Sequence, residues 1–108
     1  MWPFALLLAP RAQAEPTDEG RATYAAKCLA CHGAEGRGDG PAARALPRPP
    51  RDFSSAEFWA STTDAQLRAA ITQGLPGTIM RGYPMPPDQL SSLVDYLRSL
   101  RPAPAAAR

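Results

Sequence analysis

Apolar positions in the last third of the chain recur with a helical period. Leu90, Leu93, Val94, Leu97 and Leu100 stand three or four residues apart, with Tyr96 beside them. That pattern predicts one amphipathic helix ending by Pro102. Pro86 and Pro87 suit its first positions, where a missing N–H leaves no helical bond unmade. Upstream, Leu67, Ala70 and Ile71 share one face of a second helix. Thr63 and Gln66 have the spacing of a capping box at its start, and Gly74 marks its stop. Ser54 or Ser55 can cap a short helical turn through Trp59. Near the N-terminus, Ala22, Ala25, Cys28 and Leu29 recur at helical spacing and predict a helix from Thr17 to about Ala30. Thr17 can cap it, and Asp18 and Glu19 suit the positive end of its dipole. Gly20 falls inside this helix, where glycine costs about 1 kcal/mol against alanine; it suits a place where another helix approaches closely. Between these elements the chain reads as loop. Gly33, Gly36, Gly38 and Gly40 are followed by Pro41, Pro47, Pro49 and Pro50, and a second loop runs from Leu75 to Met85. No internal repeat and no persuasive strand is visible. The expected class is all-α: short helices joined by extended loops.

Composition narrows this. The 108 residues suffice for one domain and not two. A domain of this size buries little apolar surface and often relies on a metal, a disulfide or a cofactor. With 13 prolines and few aromatic residues, much of the core is expected to be something other than protein. The run Trp2 to Ala9 followed by Ala12-Gln13-Ala14 reads as a cleaved secretory signal over residues 1–14. It is too short to span a bilayer, which takes about 20 apolar residues. Residues 15–101 then form the domain, residues 102–108 a flexible Ala/Pro tail, and no membrane insertion is expected after cleavage. The expected location is the periplasm. Cleavage removes Arg11 and no acid, taking the formal charge from +2 to about +1. Bulk charge therefore excludes nucleic-acid binding.

The candidate chemistry lies in Cys28-Leu29-Ala30-Cys31-His32, which contains both cysteines and the single histidine of the chain. Two thiols at this spacing match the reach between the two vinyl groups of haem, and the adjacent imidazole falls beneath the iron. Such a string reads as a c-type haem attachment site. A redox dithiol typically opens a helix in a strand–helix alternation, whereas this pair closes a helix. A structural zinc site needs four ligands, and two Cys and one His do not supply them. A disulfide in an exported chain is the third alternative. With haem bound through Cys28, Cys31 and His32, the second axial ligand is left to Met80 or Met85, since Met1 leaves with the signal; Lys27 is an outsider. Met80 stands in a glycine-bearing loop, Gly77-Thr78-Ile79-Met80, that can drape over a flat cofactor. Met85 precedes Pro86-Pro87, where a packing contact is the ordinary role.

These residues resemble the small class I (monohaem) bacterial cytochromes c over roughly residues 17–101. Gly20 and Tyr24 match the family's glycine and aromatic on the helix before the haem motif, and Tyr96 matches the aromatic on the C-terminal helix that they pack against. The resemblance implies a cytochrome c-like fold of three to five short helices wrapped around one covalently bound haem c. It implies a proline carbonyl, that of Pro41, accepting from the proximal imidazole. It makes Gly74 to Met80 the axial-methionine loop, with Arg81 where the family often has proline, and Met85 the alternative ligand. Arg44, Arg48, Arg51 and Trp59 are the candidates for the haem propionates. The implied function is a periplasmic electron carrier, not an enzyme, with His/Met ligation and Fe(III)/Fe(II) cycling. It would be monomeric and would dock transiently on redox partner proteins. Arg44, Arg48, Arg51 and Arg81 would form a weakly positive collar for an acidic partner. The rival readings are a haem subunit of a larger oxidoreductase, a five-coordinate ligand-binding or sensing haem protein, and a thiol–disulfide oxidoreductase.

Overall fold

Thr17 lies in extended backbone (φ −98°, ψ 163°) and its hydroxyl accepts the Gly20 N–H at 3.1 Å. That cap starts α1, Asp18–Lys27, with Asp18 and Glu19 in its first turn. The computed structural model describes residues 16–102; the expected signal and all of the expected tail beyond Pro102 lie outside them. The helix expected to run unbroken to Ala30 is interrupted at Cys28. The Cys28 N–H still donates to the Tyr24 carbonyl at 2.8 Å, and its own carbonyl accepts from Cys31 and His32 at 3.2 and 2.9 Å. Cys28 thus ends α1 and begins α2, Leu29–His32. The helical path extends two residues further than the sequence suggests, and Gly33 stops it.

The buried face of α1 is the one on which the family resemblance placed Gly20 and Tyr24, not the one marked by Ala22 and Ala25. Gly20, Thr23 and Tyr24 point inward, while Ala22 and Ala25 are exposed. An alanine methyl has little surface to hide, so the larger Tyr24 and the close helix contact at Gly20 decide the rotation. A Cβ on Gly20 would collide with the Ser92 carbonyl of the C-terminal helix. That helix is α5, Pro87–Ser99, following α3, Ala56–Ser61, and α4, Asp64–Gln73. Around the α1–α5 crossing, Tyr24 and Tyr96 meet at 5.0 Å between ring centres. Gln89 donates to the buried Thr23 hydroxyl at 3.2 Å, and Ser92 donates to Glu19 at 3.1 Å.

The remaining elements follow their sequence signals closely. Pro86 caps α5 and Pro87 opens it; Leu93, Val94, Tyr96 and Leu97 are buried, with Leu90 and Leu100 half-buried beside them. Thr63 and Gln66 form a complete capping box: Gln66 N–H donates to Thr63 Oγ1 at 3.0 Å, and Thr63 N–H to Gln66 Oε1 at 2.9 Å. Gly74 ends α4 at φ +80°. Asp64 accepts from Arg68 in its own helix and from Arg98 in α5, both at 2.6 Å, tying the two helices together. Ser55, the second of the two expected caps, starts α3. The loop after Gly33 holds a single 3-10 turn, Ala43–Ala45, against α2. Among the described residues no strand forms; one isolated bridge joins Gly74 and Arg81. The architecture is all-α, with a small core of Tyr24, Phe53, Leu67, Ile71, Leu93, Val94, Tyr96 and Leu97. Among the described residues no helix is long and apolar enough to cross a membrane.

Candidate functional site

The restart of the helix at Cys28 gathers Cys28, Cys31 and His32 on one turn. Both thiols are half-buried and free of any disulfide. Burial pushes the Cys28 thiol up to about 11, against the opposing pull of the neighbouring Lys27 ammonium. A thiol–disulfide catalyst needs the opposite, a depressed thiol that supplies thiolate at neutral pH. Among the described residues, no three His, Cys, Asp or Glu side chains converge to hold a metal ion.

His32 is held from two sides. Its Nδ1 lies 3.3 Å from the Arg51 carbonyl, which can only accept, so Nδ1 carries the proton and Nε2 keeps its lone pair. This replaces the carbonyl of Pro41 expected for that bond: the loop after Gly33 brings residue 51 to the ring. On its face, the imidazole stacks on Phe53 with centres 4.6 Å apart and planes 17° from parallel. Burial lowers the His32 pKa and the Arg51 carbonyl partly restores it. A neutral imidazole is the form that binds a metal. The peptide after His32 is fixed as well, because the buried Tyr24 hydroxyl donates to the Gly33 carbonyl at 2.6 Å.

Met80 stands on a loop closed by its own backbone. The Leu75 N–H donates to the Met80 carbonyl at 3.2 Å, and the Thr78 N–H to the Leu75 carbonyl at 3.1 Å. The Thr78 hydroxyl accepts the Met80 N–H at 3.2 Å. Beyond it, Tyr83 N–H donates to the Ile71 carbonyl at 2.7 Å, tying the loop back to α4. Lys27, next to Cys28, lies over the Tyr83 ring at 5.4 Å, so this loop and the end of α1 are neighbours. Met80 is half-buried and is not among the side chains packed on the core, whereas Met85 is.

Arg44, Arg48, Arg51 and Arg81 are all exposed, and none joins the ion pairs found among the described residues. Trp59, the fourth propionate candidate, is half-buried beside the core. Its indole N–H donates to the Phe53 carbonyl at 2.7 Å, and Arg98 and Arg101 lie over its ring at 6.0 and 5.9 Å. Phe53 was not singled out in the sequence, and neither was the Arg51 carbonyl. A lone aromatic after a proline-rich loop carries no periodic signal, and a carbonyl is present at every residue.

The residues fit a haem. Two unpaired thiols and an imidazole with a free Nε2 stand on one turn. Beside the core, Cys28, Leu29, Phe58, Trp59, Met85, Leu90 and Leu100 are only partly covered, and Ile79 is 63% exposed. Apolar side chains left partly uncovered next to the core leave room for an apolar group to pack on them.

The family model for Cytochrome c matches residues 17–101. Two solved structures are similar. One is a chain of the Kuenenia stuttgartiensis reducing HAO-like protein complex Kustc0457/Kustc0458, 29% identical with a TM-score of 0.70, covering 81% of this chain and 43% of that one. The present chain therefore spans less than half the length of that relative. The other is the KustC0563 c-type cytochrome, 27% identical with a TM-score of 0.65, covering 76% of this chain and 96% of that one. No curated protein matches the chain.

Proposed function

The chain belongs to the cytochrome c family, and from that premise we propose that it is a periplasmic electron carrier with one haem c and His/Met axial ligation. Family membership makes it an electron-transfer haem protein; the ligands, the single haem and the location are the finer reading. In that reading Cys28 and Cys31 tether the haem, His32 Nε2 is the proximal ligand and Met80 the distal one. The haem supplies an iron that takes up and returns one electron between Fe(III) and Fe(II). Cys28 and Cys31 hold it by two covalent bonds, the Arg51 carbonyl fixes the His32 tautomer, and the 74–81 loop holds the Met80 backbone.

The observation that carries the ligand assignment is the contrast between the methionines. Met85 packs against the core, while Met80 sits away from it on a loop closed by hydrogen bonds. A thioether opposite histidine raises the reduction potential and closes the iron to exogenous ligands. The test is the oxidised absorption spectrum of wild type beside Met80→Ala and Met85→Ala. The methionine-to-iron charge-transfer band is expected to vanish in Met80→Ala alone. Loss only in Met85→Ala overturns the assignment, and rapid cyanide or carbon monoxide binding by wild type at neutral pH supports the five-coordinate rival instead.

Export over residues 1–14 puts the chain in the periplasm, and its test is N-terminal sequencing of the secreted protein, which is expected to begin at Glu15. The exposed Arg44, Arg48, Arg51 and Arg81 support transient docking on an acidic partner. The 3-10 turn bearing Arg44 lies against α2, Arg51 adjoins His32, and Arg81 follows Met80. A second reading, a haem subunit of a larger oxidoreductase, is favoured by the structural match to a chain of a protein complex. Size-exclusion chromatography of native extracts separates the two: a free carrier elutes as a monomer smaller than the 11.5 kDa of the uncleaved chain, a subunit with its complex.

A further inference from the structure

Phe53 is tied down to a degree that a simple core contact does not require. Its N–H donates to the Gly36 carbonyl at 2.6 Å, and its carbonyl accepts the Trp59 indole at 2.7 Å. Around it, the Asp52 carboxylate accepts both the Ser54 N–H at 2.8 Å and the Ser54 hydroxyl at 2.6 Å, closing a tight turn. Gly36, at φ +75°, leaves the space the ring occupies: a Cβ there would press on Phe53 Cβ and Cδ2 at 3.1 Å and on Leu100. The Phe58 ring meets Phe53 edge-on at 5.3 Å. Everything that fixes this short segment also fixes the face presented to His32.

We propose that Arg51–Phe53 is a clamp that sets the ring orientation of His32, with Phe53 as its positioning residue. This rests on the reading of His32 as the proximal ligand. An imidazole bound through Nε2 keeps one soft rotation, about its bond to the metal. The Arg51 carbonyl fixes which nitrogen is protonated, but a single 3.3 Å hydrogen bond in the ring plane restrains that rotation weakly. A near-parallel ring at 4.6 Å blocks it, because any turn drives an edge of the imidazole into the phenyl face. The segment therefore supplies both restraints from residues two apart, one along the ring edge and one across its face. Ring orientation sets how the ligand orbitals meet those of the iron, so the clamp acts on the electronic state of the centre without touching it.

The first measurement uses the wild-type holoprotein in its reduced, diamagnetic state. Cross-relaxation between Phe53 ring protons and His32 ring protons is expected; its absence in haem-loaded protein overturns the clamp. The second uses the oxidised protein, where the spacing of the four haem-methyl resonances reports axial-ring orientation. Phe53→Leu keeps an apolar side chain and removes the stack, and its methyl spacing is expected to change. Phe53→Tyr keeps the stack and is expected to retain the wild-type spacing. A folded Phe53→Leu protein with unchanged spacing overturns the proposal even if its melting temperature falls. Where Phe53→Leu does not fold, the wild-type cross-relaxation decides alone. A haem stain on a denaturing gel of wild type keeps the two ideas apart: no stain removes the haem reading itself, while a stain without the Phe53–His32 contact removes only the clamp.

Discussion

Tyr24 joins packing to the site through one hydroxyl. Its ring lies in the α1–α5 crossing, and its O–H reaches the Gly33 carbonyl just past His32. Tyr24→Phe keeps the ring and removes one of two donors to the Gly33 carbonyl, which still accepts the Gly36 N–H at 3.1 Å; the loss of about 0.5–1.5 kcal/mol is measurable by urea unfolding at pH 7. Burial, chiefly, raises the Tyr24 pKa well above its ordinary value, with Cys28, Tyr96 and Asp39 adding to it. The folded state thus favours the protonated phenol. Its contribution is complete below the ordinary tyrosine pKa of about 10 and is lost as pH rises through and above it. Wild type should therefore lose more stability than Tyr24→Phe between pH 9 and about 11, seen in the urea midpoints; equal losses would contradict this. At the same scale Met80 and Met85 are thioethers of equal reach that differ in their surroundings: Met85 packs against the core and Met80 does not.

At the scale of elements, α1 and α5 meet through a position with no side chain. Gly20→Ala gains about 1 kcal/mol of helix propensity. It also forces a methyl against the Ser92 carbonyl, a backbone atom that cannot rotate away, and overpacking costs about 1–3 kcal/mol. The expected outcome is net destabilisation, larger still for Gly20→Leu, visible as a lowered thermal midpoint; a stabilised Gly20→Ala protein would show that the crossing yields. Between α4 and α5, beside the Arg68 bond to the Ser91 hydroxyl at 3.3 Å, one link is Asp64. Hydrogen bonds from Arg98 and then Arg68 hold its carboxyl below the usual carboxylate range. A depressed carboxylate contributes above its unfolded value of about 4 and loses that contribution as pH falls through the lowered one. Asp64→Asn should therefore be less stable than wild type at pH 7 and equal to it near about pH 2. Because the pair is exposed, the difference at pH 7 should be at most about 1 kcal/mol.

The whole molecule has a thin core for its length. Eight buried apolar side chains lie among the described residues, with half-covered ones packed against them. A chain of this kind relies on what it binds. Replacing both proposed tethers, Cys28→Ser with Cys31→Ser, should leave the haem unattached and lower the thermal midpoint far more than any surface substitution, as read by circular dichroism. A double variant as stable as wild type would mean that the helices suffice alone. The exposed arginines around the site lead to a prediction about rates. Electron transfer to the physiological partner should slow as ionic strength rises, because salt screens attraction between exposed charges; invariance with salt would dismiss the collar.

Local signals survived folding where the physics is local. The capping box at Thr63 and Gln66, the Thr17 cap, the proline start of α5 and its apolar stripe depend on neighbours within one or two turns, and all appear as expected. The family resemblance was legible for a similar reason, since its attachment string occupies five consecutive residues and Gly20, Tyr24 and Tyr96 keep their order. Tertiary structure decided what depends on distant chain segments meeting. It turned α1 to bury Thr23 and Tyr24 in place of Ala22 and Ala25, because the contact with α5 outweighs the small apolar gain of two methyls. It brought the Arg51 carbonyl to His32 where the family pattern implied Pro41, and it bound the Trp59 indole to Phe53. Sequence by itself determined the helices, the attachment turn and the pair of candidate methionines, because residue type and spacing encode them. Only the folded chain decided how His32 is held, because that depends on a carbonyl and a ring delivered by a glycine- and proline-rich loop whose path no short-range rule prescribes.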